Sequence, residues 1–193
     1  GNNFLIFRYK PGFAASVSGN IITDLLEDEQ GIIWIATADG GLTRYDHRAA
    51  ASRQFRQYKN LPDDPSSIPV NIINALQQDR NGILWLATSG RRVIRFNKQT
   101  EKFDEPVTTG ISTALALSLD AEEKLWVGRQ GGGLLKVHTR SLETESDERY
   151  QNLYAKLPHV VVTSLFTDSE KNPWFGSWDK ILYKYDHAIK QET

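Results

Sequence analysis

One pattern of about nineteen residues occurs four times and constrains the fold more than any other feature of the sequence. The copies align without a gap, as DEQGIIWIATADGGLTRYD, DRNGILWLATSGRRVIRFN, DAEEKLWVGRQGGGLLKVH and DSEKNPWFGSWDKILYKYD. Each copy has two tight turns separating alternating apolar runs, which predicts antiparallel strands. The opening aspartates are 51, 41 and 48 residues apart. A four-stranded unit of about 40 to 50 residues is typical of a β-propeller blade.

We therefore predict an all-β chain of four antiparallel β-propeller blades, each of four strands, with residues 1–193 forming one propeller segment. The expected blades cover residues 18–59, 70–104, 111–155 and 159–193, preceded by a separate N-terminal strand at residues 3–10. Outer strands are expected at residues 53–59, 101–104 and 150–154, whereas the fourth unit has none of its own. Prolines 62, 65 and 69 argue against a helix between the first two units. A short helix within residues 142–157 is the weak alternative to a purely β reading.

The repeated positions have a structural explanation in a propeller. A large ring in one shared slot would fill the gap between neighbouring blades, and four tryptophans occupy it: Trp34, Trp85, Trp126 and Trp174. Two residues later a small residue would let adjacent sheets approach, and the slot holds Ala36, Ala87, Gly128 and Gly176. The aspartate that opens each pattern is expected to accept backbone N–H bonds in its turn. A calcium loop needs several clustered oxygen ligands, and these turns offer one or two carboxylates each.

The composition of the chain argues against several classes of function. The net charge of -1 does not favour nucleic acid or an anionic membrane surface. The chain has no cysteine, which excludes disulfides, thiolate zinc sites and a cysteine nucleophile. No apolar run reaches the roughly 20 residues that span a bilayer. We expect no cofactor, no metal, no nucleic-acid partner and no membrane contact by this segment.

With these residues in view, the pattern D-x-x-G-x-x-W-[IL]-[AG]-T-x-x-G-G-L-x-R-[YF]-[DN] resembles the two-component regulator propeller repeat. The lead-ins SGNII and PDDPSSIPVNII resemble that family too. The first two units fit closely, whereas the third has Glu123, and the fourth Lys171, in place of the turn glycine. The resemblance implies a periplasmic sensor region ahead of a membrane span and a cytoplasmic signalling module, often a histidine kinase. It also implies a link to polysaccharide use, with an oligosaccharide as one ligand class.

The same resemblance implies propellers of about seven blades, so we expect this chain to be a piece of a longer sensor. An arc of four blades would expose an apolar inter-blade face, and self-association through those edges is expected. Unit four lacks an outer strand and residues 3–10 form an outer strand without a unit. The two could pair within one closed ring or between molecules.

Candidate ligand-binding residues lie in the turns between second and third strands, where the repeats diverge most. Arginines and an exposed aromatic side chain can hold a sugar through paired hydrogen bonds and ring stacking. The candidates are Arg91, Arg92, Arg129, Trp178 and Lys180.

Two other classes of function remain open. Propellers with similar repeats include the streptogramin lyases, which need a base and often a metal near the axis. Of the four histidines, His47, His138 and His187 fall at the ends of third strands, and only His159 is expected near a channel entrance. We therefore expect no catalytic residues and no enzyme. A pure protein-interaction scaffold is the other alternative.

Overall fold

The computed structural model describes residues 4–90, 92–104, 107–108, 112–145 and 159–185. Apart from one three-residue 3-10 helix at Ala51–Arg53, the regular structure of this part of the chain is all β. The strands of the first unit are β1 Ile22–Glu27, β2 Ile33–Thr37, β3 Leu42–Tyr45 and β4 Phe55–Tyr58. Those of the second are β5 Ile73–Gln78, β6 Ile83–Thr88, β7 Arg92–Asn97, β8 Lys102–Phe103 and β9 Val107–Thr108. The third has β10 Ala114–Leu119, β11 Lys124–Arg129 and β12 Leu134–His138, and the fourth β13 Val162–Thr167, β14 Pro173–Ser177 and β15 Leu182–Lys184.

Each unit is one antiparallel sheet, and we call these sheets blades 1 to 4 in chain order. Blade 1 has the order β1-β2-β3-β4, and in blade 2 both β8 and β9 pair with β7. Blades 3 and 4 have three strands each within the described residues. A fourth strand was expected in blade 3, whereas the fourth unit was predicted to have no outer strand of its own. An isolated bridge from Val137 to Thr144 lies beside β12, where a fourth strand would run. The strand expected at residues 150–154 falls outside the described residues, as does most of the segment considered for a helix.

The N-terminal segment is not a strand, contrary to our prediction. Residues 4–10 carry no ladder, and Phe4, Leu5 and Ile6 are exposed. Phe7 makes ring contacts, with its centroid 5.1 Å from that of Tyr45 and 5.3 Å from that of Phe55, and Lys59 Nζ lies 5.2 Å from the centroid of the Tyr9 ring. Phe7 thus lies against side chains of β3 and β4 rather than along the backbone of the edge strand, so the alternating sequence forms no ladder there.

The turn between the first two strands forms as the sequence predicts. In blade 1, Asp28 Oδ1 accepts hydrogen bonds from the backbone N–H groups of Gln30 and Ile32, both at 3.0 Å. Each turn also contains one residue with a positive φ. In order along the chain these are Gly31, Gly82, Glu123 and Lys171, with φ of 73°, 76°, 59° and 71°. The third and fourth units therefore keep the turn geometry although they have lost the glycine.

The four tryptophans occupy matching sites, each with a hydrogen bond that the sequence analysis missed. The indole Nε1–H donates to Oδ2 of the aspartate six residues earlier in every blade, at 2.7 to 3.1 Å. Three of the rings are buried, whereas Trp174 is only partly buried. On the neighbouring strand a cation covers three of the rings, and these cations are Arg95, Lys136 and Lys184.

The hydrophobic core lies between blades rather than inside one. At the junction of blades 1 and 2, Trp34, Ala36 and Leu42 pack against Ile73, Phe96 and their neighbours. The next junction repeats this with Trp85 and Val93 against β10 and β11, and the third with Trp126 and Leu134 against Val162 and Phe175. The prediction that the tryptophan slot faces a neighbouring blade is thus confirmed. At Gly128, an added Cβ would lie 2.7 Å from Val162 Cγ1, so the small slot does allow two sheets to approach.

Every first strand contains a β-bulge at the same position. The register shifts between Ile22 and Asp24, and at the equivalent place in β5, β10 and β13. A bulge aims one side chain out of the regular alternation. Thr23 uses this to donate to the Ile73 carbonyl at 2.6 Å, and Asn74 donates to the Ala114 carbonyl at 2.7 Å. The first strands of successive blades are therefore joined by repeated side-chain hydrogen bonds.

Candidate functional site

The four turns between second and third strands form one end of the blades, which we call the turn end. It is braced by a residue at the end of each second strand. Thr37 Oγ1 donates to the Gly41 carbonyl at 2.9 Å, and Thr88 Oγ1 to the Arg92 carbonyl at 2.8 Å. Ser177 Oγ makes the same bond to the Ile181 carbonyl at 2.9 Å. A hydroxyl four residues before the acceptor is thus the usual device that closes these turns.

Arg129 occupies the equivalent position in blade 3 and performs the same task with a guanidinium. It is buried, and its Nη2 donates to the carbonyls of Gly132 and Leu134, the latter at 2.9 Å. We expected Arg129 among the side chains offered to a ligand, whereas the structure places it inside its own turn. The alignment with Thr37 and Thr88 was the sequence signal that could have indicated this internal role.

The turn end is also tied to the following blade. The Gly41 N–H donates to the Asn71 carbonyl at 2.9 Å, and the Gly133 N–H donates to the Val160 carbonyl at 3.0 Å. Both acceptors lie in the segment that leads into the next first strand. Asp39 accepts from the backbone N–H groups of Asn20 and Ile21 in the lead-in of its own blade. Turns and lead-ins are thus held together, so that side chains at this end stand on a fixed backbone.

Among the other predicted site residues, Trp178 and Lys180 share the turn between β14 and β15. Trp178 has 72% of its surface exposed, while its backbone N–H donates to the Val161 carbonyl. Lys180 is exposed and has a φ of 67°. Arg92 is exposed at the start of β7 in blade 2, and Arg91 lies outside the described residues. Ligand binding by these five residues stays a prediction.

A cleft of about 620 Å³ opens at the opposite end, between blades 1 and 2. Its lining combines Asp28, Trp34 and Phe55 with Arg44, Arg53, Arg56, Lys98 and Glu101. Three of its cations are already paired with acids: Lys98 with Asp28 and Glu29, Arg56 with Glu101, and Arg44 with Asp46. The cleft therefore serves first as a charged brace between the two blades.

Asp28 is the most constrained group of this brace. Lys98 Nζ lies 3.0 Å from Asp28 Oδ2, and both side chains are largely buried. Burial acts to raise the pKa of Asp28, but hydrogen bonds from Trp34, Lys98 and the backbone outweigh it, so the pKa lies below its ordinary value of 3.8. Asp120 has a lowered pKa for the same reasons: burial opposes the shift, while the backbone of Lys124 and the ammonium of Lys136, 3.1 Å away, dominate.

No group of three or more His, Asp or Glu side chains suited to a metal ion occurs among the described residues. His138 ends β12 as expected and lies 3.3 Å from Glu145 Oε2, whereas His47 follows β3 and is exposed. His159 is exposed just before β13, and His187 is outside the described residues. In the described part of the chain we also find no helix long and apolar enough to cross a membrane.

Comparison with known proteins shows which class of repeat the sequence pattern matches. The sequence profile described as "two component regulator propeller" matches residues 16–39 and 67–90, which include the first two strands of each of the first two units. These are the units that fit the consensus most closely, and the chain carries repeats of this class. Comparison with curated protein sequences gave no match.

Solved structures share the fold. The extracellular domain of a hybrid two component system from B. thetaiotaomicron matches 94% of this chain at 21% identity, with a TM-score of 0.73. The extracellular domain of a one component system from the same organism matches 86% at 21% identity, with a TM-score of 0.64. A virginiamycin B lyase from Staphylococcus aureus matches 86% at 10% identity, with a TM-score of 0.60. The chain covers 24%, 21% and 56% of these proteins respectively, so it spans about a quarter of the length of the first two.

Proposed function

We propose that this chain, which carries two component regulator propeller repeats, is part of the extracytoplasmic, periplasmic sensor region of a bacterial signalling protein. The observation that carries the proposal is the match of both well-preserved units to that repeat class. The two similar extracellular domains of signalling systems support it. In this proposal the segment binds a ligand outside the membrane, and the binding is relayed to a distant output module such as a histidine kinase.

The turn end is the surface we assign to ligand contact, with an oligosaccharide as the proposed ligand class. Trp178 offers an exposed indole for stacking on a sugar ring, and Lys180 in the same turn can donate to hydroxyl or carboxylate oxygens. Arg92 provides a second donor on blade 2. Hydrogen bonds already hold these turns in place, so binding a ligand there costs little conformational entropy.

The test is calorimetric titration of a glycan library against the 193-residue chain. Trp178→Ala is expected to weaken any interaction by roughly 2- to 10-fold, because it removes a stacking platform worth about 0.5–1.5 kcal/mol. Phe13→Ala is the matched control, since Phe13 is an exposed aromatic residue outside the turn end. Absence of binding to every glycan, or equal binding by Trp178→Ala, would contradict the proposed site.

A lyase function is the competing class, and the fold similarity to virginiamycin B lyase is what favours it. Incubation of the chain with the same glycans and with streptogramin-type cyclic peptides, followed by mass spectrometry, separates the two. Unchanged substrates are expected. A product formed by the chain and lost in His159→Ala would replace sensing by catalysis.

A further inference from the structure

The cleft between blades 1 and 2 contains two arginines side by side on one sheet. The register of blade 1 places Arg44 opposite Trp34 and Arg56 opposite Arg44, across strands β2, β3 and β4. Side chains directly opposite each other on antiparallel strands share one face of the sheet, and all three residues line the cleft. Like charges in directly opposed positions destabilise a sheet. Blade 1 therefore holds a pair of guanidinium groups that works against its own stability.

The equivalent positions of blades 2 and 3 combine a cation with an acid. In blade 2, the Asp104 N–H donates to the Arg95 carbonyl at 3.0 Å, and Asp104 Oδ2 lies 3.5 Å from the Arg95 guanidinium. In blade 3, the Glu145 N–H donates to the Lys136 carbonyl at 2.8 Å, so that an acidic residue again stands beside the cation. Arg56 takes the place of this acid in blade 1. The repeat thus accepts a negative side chain at this position, and the fold does not require an arginine there.

A third arginine lines the same cleft and has no acid of its own. Arg53 ends the short 3-10 helix before β4, is exposed, and makes no ion pair with any residue that the structure describes. Arg44 shares its carboxylate, because Asp46 lies 3.0 Å from Arg44 and 3.3 Å from Arg48. The cleft wall that blade 1 contributes therefore has more guanidinium groups than carboxylates.

The two carboxylates that line the cleft are each paired with a cation. Asp28 Oδ2 lies 3.0 Å from Lys98 Nζ, and Glu101 forms an ion pair with Arg56. Both pairs cross the junction, since Lys98 and Glu101 lie between β7 and β8 of blade 2. Among the described side chains of the cleft, the positive charge left without a partner is therefore that of Arg53.

The size and the walls of the cleft suit a small molecule. Its volume of about 620 Å³ falls within the roughly 300–1,000 Å³ that is usual for small-molecule sites. Ile32 and Trp34, which are buried, and Ala49 and Phe55, which are partly buried, give it an apolar part. The three arginines give it a positively charged part. A molecule that combines a negative group with an apolar body matches both.

We propose that this cleft binds a small organic anion, namely a carboxylate or phosphate group carried on an apolar ring or chain. Arg44, Arg53 and Arg56 donate to the oxyanion, since a guanidinium presents paired N–H groups that match carboxylate and phosphate oxygens. The bound negative charge offsets the repulsion between the two opposed arginines. The cleft lies at the opposite end of the blades from the turn end, so the inference does not rest on the proposed oligosaccharide ligand.

Benzoate is the first probe, and benzamide, an uncharged molecule of similar shape, is its control. Each is titrated by NMR into the isotope-labelled chain of 193 residues. Benzoate is expected to bind with a Kd of about 1 mM or lower, and to shift the Nε–H signals of the cleft arginines and the backbone N–H signals of Ala49 and Ala50. Benzamide that binds as tightly as benzoate would overturn the proposal.

Phenyl phosphate distinguishes the two kinds of anion. Tighter binding of phenyl phosphate than of benzoate assigns the cleft to phosphate esters, and the reverse order assigns it to carboxylic acids. Saturable binding of neither anion would contradict the site.

Arg53→Gln is the sharpest variant, because Arg53 has no described ion pair whose loss would disturb the fold. It should weaken benzoate binding about tenfold, since it removes a charge-assisted hydrogen bond, and Arg56→Gln should have the same effect. Arg80→Gln is the matched control, because Arg80 is an exposed arginine that pairs with Glu123 outside the cleft. Circular dichroism shows whether each variant is folded. Unchanged benzoate affinity in either folded cleft variant would show that the arginines do not form the site.

Trp178→Ala separates this site from the turn end. It should bind benzoate as tightly as the unaltered chain, so a failure of the proposed sugar site and a failure of the anion site can be told apart. Loss of benzoate binding in Trp178→Ala would place the anion at the turn end and refute the assignment to the cleft.

Discussion

The junction of blades 1 and 2 and the junction of blades 3 and 4 both pack a tryptophan against the next blade, but they differ in how many apolar side chains they bury. In the first, Trp34, Tyr58, Phe96 and Phe103 form a continuous aromatic cluster, and Lys98 bridges to Asp28 and Glu29 across the blades. In the last, Trp126 meets Val162 and Phe175 with fewer buried apolar side chains among the described residues. Repeat proteins gain stability from neighbour to neighbour. The chain is therefore expected to be most stable at its first junction and least stable at its last blade.

The largest expected effect on stability comes from replacing a tryptophan of the shared slot. Trp34→Ala should lower the free energy of unfolding by about 3–5 kcal/mol, because it empties a buried site and removes the bond to Asp28. Trp174→Ala should cost about 1–2 kcal/mol, since its ring is only partly buried. Chemical denaturation at concentrations where the chain is monomeric measures both. Equal losses would show that the two ends of the chain are equally well packed.

The charged groups of the first junction should make the stability of the chain depend on pH, and the same holds for Asp120 in blade 3. The lowered pKa values of Asp28 and Asp120 mean that both carboxylates stabilise the fold only when ionised. This stabilisation should be complete above about pH 5 and lost as the pH falls below 4 through the lowered values. Asp28→Asn should cost about 2 kcal/mol at pH 7, because the amide cannot accept from Trp34 and Lys98 as the carboxylate does.

The pH series provides the control for that prediction. The free energy of unfolding of Asp28→Asn should vary less between pH 5 and pH 3 than that of the unaltered chain. Asp63→Asn, in the loop that contains prolines 62, 65 and 69, is the control, and its free energy of unfolding should vary with pH as that of the unaltered chain does. If Asp28→Asn loses stability in acid as steeply as the unaltered chain, the brace does not contribute as described.

The smallest expected effect concerns the turn between β13 and β14, where Lys171 stands in place of the glycine. Lys171 has a φ of 71°, which disfavours residues with a Cβ. Lys171→Gly should therefore stabilise blade 4 by about 0.5–1 kcal/mol, and Gly31→Lys should destabilise blade 1 by about 1 kcal/mol. Lys171→Ala is the matched control and should bring no gain. Thermal unfolding of the three variants decides whether the weaker last blade owes part of its weakness to this turn.

Much of the fold could be predicted because its signals are local. The alternation of apolar residues, the turn aspartate and the shared tryptophan slot depend on neighbours within one unit, and all appear as expected. The candidate site could be predicted less well. Trp178 is exposed as anticipated, whereas Arg129 is used by its own turn, because a buried carbonyl of Leu134 accepts from it.

The sequence by itself determined four β units, their order and the residues that face a neighbouring blade, since the repeat period and turn chemistry recur in every copy. Only the tertiary structure decided that residues 4–10 lack a ladder, that each indole bonds to the turn aspartate, and that Lys98 reaches Asp28 across a junction. The contact of Lys98 with Asp28 depends on packing between two units that are distant in sequence, and no local pattern records it. The indole bond lies within each unit, between residues six apart, and is set by the side-chain orientations that the folded turn and strand impose.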